Sequence, residues 1–222
     1  KDNEKVLTLN AFVGFTKDDN LDHILSKTDT PKNFDFLSID IDGNDYHIWN
    51  VMTLYAPKLV CIEFNPYIPT EVDFVQDANM NVSHSSSLSA ITKMAKEKGY
   101  ELISVLPWNA FFVKAEYFPL FGITDNSPFT LRKDTSKITY LFVGMDGTLF
   151  LEGRKQLGGH GIELNAKRMQ HIPKFLRKNV TNYNLLEKIL FIVTQFIRAP
   201  RSTVRFLRKI YKDHSHQILS SD

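Results

Sequence analysis

Hydrophobic residues along this chain fall into short blocks, and the spacing within a block changes from one to the next. Residues 36–41 and 59–64 are apolar runs too brief for core helices and rich in β-formers, which predicts two buried strands. Between them, over residues 45–54, Ile48, Trp49, Val51 and Met52 recur at helical spacing, and Pro57 provides the stop. Strand–helix–strand units close by right-handed crossovers, so the two strands are expected side by side and parallel. Upstream, residues 6–13 have the composition of a strand or a strand end. Asp19 or Asn20 can cap a short helix carrying Leu21, Ile24 and Leu25.

Downstream, residues 67–84 hold one proline, Pro69, several Asn and Asp, and no period. A loop this long inside a compact domain is a functional lid or a disordered excursion. Lying just past Asn65, it is placed to cover whatever the strand ends carry. A serine among Ser85–Ser87 caps a helix with Leu88, Ile91, Met94 and Ala95 on one face, ended by Gly99. Strands come next at 100–106 and 110–113, most simply paired antiparallel. Residues 133–136 read as a linker, and 138–143 with 148–151 as a hairpin around Asp146-Gly147. Residues 185–197 are apolar nearly all round, and Pro200 separates them from a second, basic helix at 204–211.

At 222 residues, the chain is long enough for one good core with an appendage. Its single cysteine, Cys61, rules out an internal disulfide. No apolar run approaches the roughly 18 residues of a membrane span, and no signal-peptide pattern opens the chain. We therefore expect a cytoplasmic location. Net charge is only +2, but residues 165–212 carry twelve Lys or Arg against one acid, Glu187.

Polar residues gather at the carboxyl ends of the two central strands: Asp40, Asp42, Asn44 and Asp45 after the first, Glu63 and Asn65 after the second. Open α/β sheets bind ligands at that edge. The blocks FDFLSIDIDGNDYHIW, LVCIEFNP, SSLSAITKMAKEKGYELISV and NAFFVK, spanning residues 6–114, resemble the FkbM-like family of S-adenosylmethionine-dependent methyltransferases. The later GMDGTLFLEG and HGIEL segments look like the region downstream of this domain in some relatives. That resemblance implies a Rossmann-like class I methyltransferase fold of α/β type, with a parallel sheet, helices on both sides and a terminal antiparallel hairpin. The match covers the carboxyl-terminal half of such a domain. Its first strands and glycine-rich turn have no counterpart, since no Gly-x-Gly precedes residue 40. The expected organisation is then a methyltransferase-like domain at 1–116, a hairpin-containing extension at 117–164 and a basic helical tail at 165–222.

The resemblance implies methyl transfer from S-adenosylmethionine to a hydroxyl of a carbohydrate or other polar metabolite. Asp40 and Asp42 are the candidate catalytic acids, able to take a proton from the acceptor or to hold the sulfonium electrostatically. Asp42, Glu63 and Asn65 are the candidate cofactor-binding residues. They can also imitate the acid and acid–Asn set with which some enzymes of this fold hold magnesium, although no metal is assigned. The plainer alternative makes Asp42-Gly43-Asn44 a turn and Asp45 a helix cap. His47, His84 and His160 are read first as surface or hydrogen-bonded residues, Trp49 as core, and Asn109 as a turn residue near the ligand edge.

Two other enzymes fit Asp40-x-Asp42: a phosphatase with Asp40 as nucleophile, and a glycosyltransferase holding a metal and nucleotide sugar. Neither accounts for the IEFNP and NAFFVK blocks. A third alternative is a non-catalytic remnant or binding module that docks an anionic membrane or a protein through its basic tail. Nucleic acid is not an expected partner, because no motif supports it.

Overall fold

The computed structural model of the chain describes residues 6–198, 200, 201 and 203–205. These fall into two compact units, Lys1–Ile138 and Thr139–Asp222. The first unit contains helices α1 (Leu21–Leu25), α2 (Asp45–Val51), α3 (Leu88–Glu97) and α4 (Pro128–Leu131), with strands β1 (Phe36–Ile39), β2 (Leu59–Glu63), β3 (Tyr100–Val105) and β4 (Asn109–Lys114).

The strands form one mixed sheet in the order β1-β2-β4-β3. β1 and β2 are parallel, with Phe36 opposite Leu59 and Ile39 opposite Ile62. β4 runs antiparallel to both of its neighbours, which sets Glu63 opposite Asn109. Trp49 and Ile48 of α2, Val60 and Ile62 of β2, Ile91 and Met94 of α3, and Phe112 of β4 make one buried core. Trp49 meets the rings of Tyr100 and Phe112 at centroid distances of 5.3 and 5.4 Å. The sheet therefore receives the apolar faces of both long helices of this unit.

Local chemistry sets the ends of these elements. The Ser87 side chain accepts the Ala90 amide to start α3, and Gly99, at φ +80°, turns the chain out of it, as the sequence predicts. α2 stops at Val51, three residues earlier than its apolar spacing suggests. Asp22, at the start of α1, takes the amides of Thr53, Leu54 and Tyr55 that a longer helix would have used. β1 stops at Ile39 rather than residue 41, because the Ile41 amide donates to the Asp45 carboxylate and leaves the ladder. The strand expected at 6–13 is not formed: these residues are irregular, and Val6, Leu7, Leu9 and Phe12 are exposed. Without a neighbouring strand their β-propensity has nothing to pair with.

The first unit extends to Ile138, beyond the 116/117 boundary read from the sequence. Arg132, just before the 133–136 stretch that reads as a linker, explains why. It is buried, lies over the Phe64 ring, and donates to the carbonyls of Pro66 and Ile68 and the hydroxyl of Thr70.

The second unit opens with the predicted hairpin, β5 (Thr139–Val143) against β6 (Leu149–Gly153), closed by a turn in which Asp146 accepts the Thr148 amide. α5 (Ala166–Met169) and two 3-10 turns lead to α6 (Leu185–Arg198). Residues 200, 201 and 203–205 are helical; the basic helix expected at 204–211 lies outside the described residues from 206 onward. Among the described residues, no helix is long and apolar enough to cross a membrane.

Candidate functional site

Parallel pairing brings the carboxyl ends of β1 and β2 side by side, and the chain is forced sharply around after β1. Asp45 drives that turn. Its buried carboxylate accepts the Ile41 amide at 3.1 Å and the Gly43 amide at 3.0 Å, so it ties the turn behind it and leaves the end of α2 uncapped by a side chain. Burial pushes the Asp45 carboxyl up, and the two amides oppose that shift. The tight turn puts Asp42 at φ +54°, in left-handed backbone, and Gly43 at φ +140°. A side chain at Gly43 would come within 2.8 Å of the Ser83 backbone, so only glycine lets the 67–84 loop lie on this turn.

This geometry sends Asp40 and Asp42 outward, and carboxylate oxygens of Asp40, Asp42 and Glu63 all lie within 4.8 Å of one another. Glu63 comes from the end of β2, and its Oε2 is buried without a hydrogen-bond partner. Desolvation first, then the negative charges of Asp45, Asp40 and Asp42, push the Glu63 carboxyl up to about 7. Such a group exchanges a proton near neutrality, which is the property of a general acid or base. The trio as a whole is suited to a cation, whether a metal ion or a positive centre on a ligand.

Asn65 is not directed to this trio by any hydrogen bond. Its Nδ2 donates to the His84 carbonyl and its Oδ1 accepts the Tyr67 amide, which pins both ends of the 67–84 loop. His47 places Nε2 2.8 Å from the Gln76 carbonyl and packs beside Phe15 and Tyr46. His84 contributes its backbone to the loop anchorage while the residue itself stays exposed. His160 lies in the second unit, with Nδ1 2.7 Å from the Gly158 carbonyl. Trp49 is core. Asn109 stands across from Glu63 in the β2–β4 register, beside the site.

Gln76 is the residue that sequence reasoning missed. It is buried, its Oε1 accepts the amides of His84 and Ser85, and its Nε2 donates to Val82. The Asn44 side chain adds two bonds, to the carbonyls of Asn79 and Val82. The 67–84 segment is therefore a fixed cover on the Gly43–Asn44 turn. A glutamine in a polar, aperiodic stretch gives no sequence signal for such a clasp, because its partners are backbone groups.

Comparison with family models, with curated proteins and with solved structures finds no match to this chain.

Proposed function

We propose that the first unit acts in S-adenosylmethionine-dependent methyl transfer to a hydroxyl, on a carbohydrate or other polar metabolite. One observation carries this reading: three carboxylates converge at the carboxyl ends of two adjacent parallel strands, and one of them is poised near neutral pH. The mixed sheet with its terminal antiparallel hairpin, β3–β4, is compatible with the Rossmann-like architecture that the FkbM-like resemblance implies. A cluster of acids fits a sulfonium cation, whereas residues 1–138 hold no Gly-x-Gly for the remainder of the cofactor. Bound S-adenosylmethionine supplies an electrophilic methyl group. Asp40 and Asp42 then hold positive charge at the strand ends, Glu63 accepts the proton of the attacking hydroxyl, and the Gln76-clasped loop limits water on one side.

Calorimetric titration of S-adenosylmethionine into the 222-residue chain tests this. Saturable binding that disappears in Asp42→Ala supports the assignment. Absence of binding by the intact chain sinks it.

The same convergence favours a second reading, in which the trio holds a divalent cation such as magnesium through hard oxygen ligands. The unpartnered Glu63 oxygen is a fitting donor for it. Protons then compete with the metal, so magnesium affinity rises with pH through the Glu63 value of about 7 and falls in Glu63→Gln. A pH-independent, weak magnesium isotherm unaffected by that substitution removes this reading.

A further inference from the structure

Helix α6 is built inside out for a globular protein. At about 100° per residue, Leu185, Leu186, Ile189, Val193, Phe196 and Ile197 fall on one continuous arc of about 120°, and all six are exposed, from 48% at Val193 to 76% at Leu185. The opposite side is the anchored one. There Phe191 meets the Tyr183 ring at 5.6 Å, and Glu187 accepts a 2.7 Å bond from Lys178. An amphipathic helix normally packs its apolar stripe inward; this one presents it to the solvent.

We infer that α6 docks in the plane of an anionic lipid surface, with its apolar arc in the acyl boundary and the surrounding Lys and Arg on the headgroup phosphates. Among the described residues α6 is too short to span: its fourteen residues reach about 21 Å, short of a hydrocarbon core of about 30 Å. Charge selects the partner. Residues 165–212 carry twelve basic groups against the single acid Glu187, which already pairs with Lys178. At the far end of the arc, Phe196, Pro200 and Val204 line a groove together with Arg201 and Arg205, so apolar and cationic groups share one surface there. A second copy packed arc to arc would set the same positive excess of residues 165–212 against itself, whereas a phosphatidylglycerol or phosphatidylserine surface supplies the opposite sign.

The test is co-sedimentation of the full chain with phosphatidylcholine vesicles, and with vesicles of phosphatidylcholine and phosphatidylglycerol at about two to one. The expected result is pelleting with the anionic vesicles only, weakened by salt. In Leu186→Glu/Phe196→Glu, whose sites are exposed so that far-ultraviolet circular dichroism should not change, affinity should fall by more than about tenfold. Arg201→Gln/Arg205→Gln, which leaves the arc intact, should weaken anionic binding to a lesser degree. Failure of the intact chain to pellet, or equal pelleting by the glutamate variant, overturns the inference. A lipid-free dimer that the glutamate variant converts to monomer also overturns it, in favour of self-association.

Discussion

The two units use apolar residues in opposite ways. In Lys1–Ile138, Trp49 of α2 and Ile91 of α3 lie within 1% of full burial against a four-stranded sheet. In Thr139–Asp222, the longest helix turns Leu185, Phe196 and Ile197 outward, and the β5–β6 hairpin carries Met145 97% exposed at its turn. Both sets of residues have strong apolar character in the sequence. Periodicity identifies a face, but it does not say what covers that face: a sheet in one unit and, on our inference, lipid in the other.

The most severe way to break this comparison is to truncate one residue from each class. Trp49→Ala removes a side chain that contacts two aromatic rings, and it should cost about 3–5 kcal/mol in urea unfolding. An equal loss from Phe196→Ala would mean that α6 is packed as tightly as α2, and the contrast would collapse.

Asp22→Ala should come next, at about 2–3 kcal/mol. The buried Asp22 carboxylate accepts three successive amides, from Thr53, Leu54 and Tyr55, together with the Thr53 hydroxyl, and removing it strands those donors. Hydrogen exchange should report the loss first at residues 53–55. No comparable buried carboxylate occurs among the described residues of the second unit.

Asp22 also shows why part of the fold was legible in the sequence and part was not. Strand and helix segments could be read because their signal is local: the apolar run of β2, the Ser87 cap and the Asp146 turn each sit within a few residues of the structure they control. Long-range polar partners leave no such trace. Asp22 looks like an ordinary acid in a first helical turn, Arg132 like a solvated charge beside a linker, and Gln76 like a solvated loop residue. The insertion of β4 between β2 and β3 is hidden for the same reason, since β3 and β4 are adjacent in sequence and a simple hairpin satisfies both. At the site, Asp40, Asp42 and Glu63 were recoverable because parallel pairing brings strand ends together by geometry. Asn65 shares that position, but its amide is spent on the backbone of Tyr67 and His84.

Glu63→Gln sharpens the comparison at the site itself. The folded carboxyl is raised from 4.5 to about 7, so below about 4.5 both folded and unfolded chains hold the proton and no difference arises. Between those values the unfolded chain releases its proton while the folded one keeps it, and stability falls as pH rises, reaching its full penalty above about 7. After discounting for solvent screening at this half-buried group, the penalty is about 1–2 kcal/mol. The glutamine variant should therefore match the parent at pH near 4 and exceed it by that amount at pH near 8, with thermal melts at both values as the check. A gain of equal size at both pH values would place its cause in packing and not in the titration of Glu63.

Leu186→Ser, on the exposed arc of α6, has the smallest expected effect. Leu186 is 64% exposed, so little apolar area returns to water when it is cut back, and serine is only slightly worse in a helix. Unfolding free energy should change by no more than about 0.5 kcal/mol, while solubility rises as the exposed apolar patch shrinks. The value of this variant lies in its pairing with vesicle binding: a side chain that stabilises nothing in water should still weaken adsorption to anionic lipid. If Leu186→Ser costs several kcal/mol in water, then α6 is covered within the free chain, and its apolar arc is a second core and not a docking face.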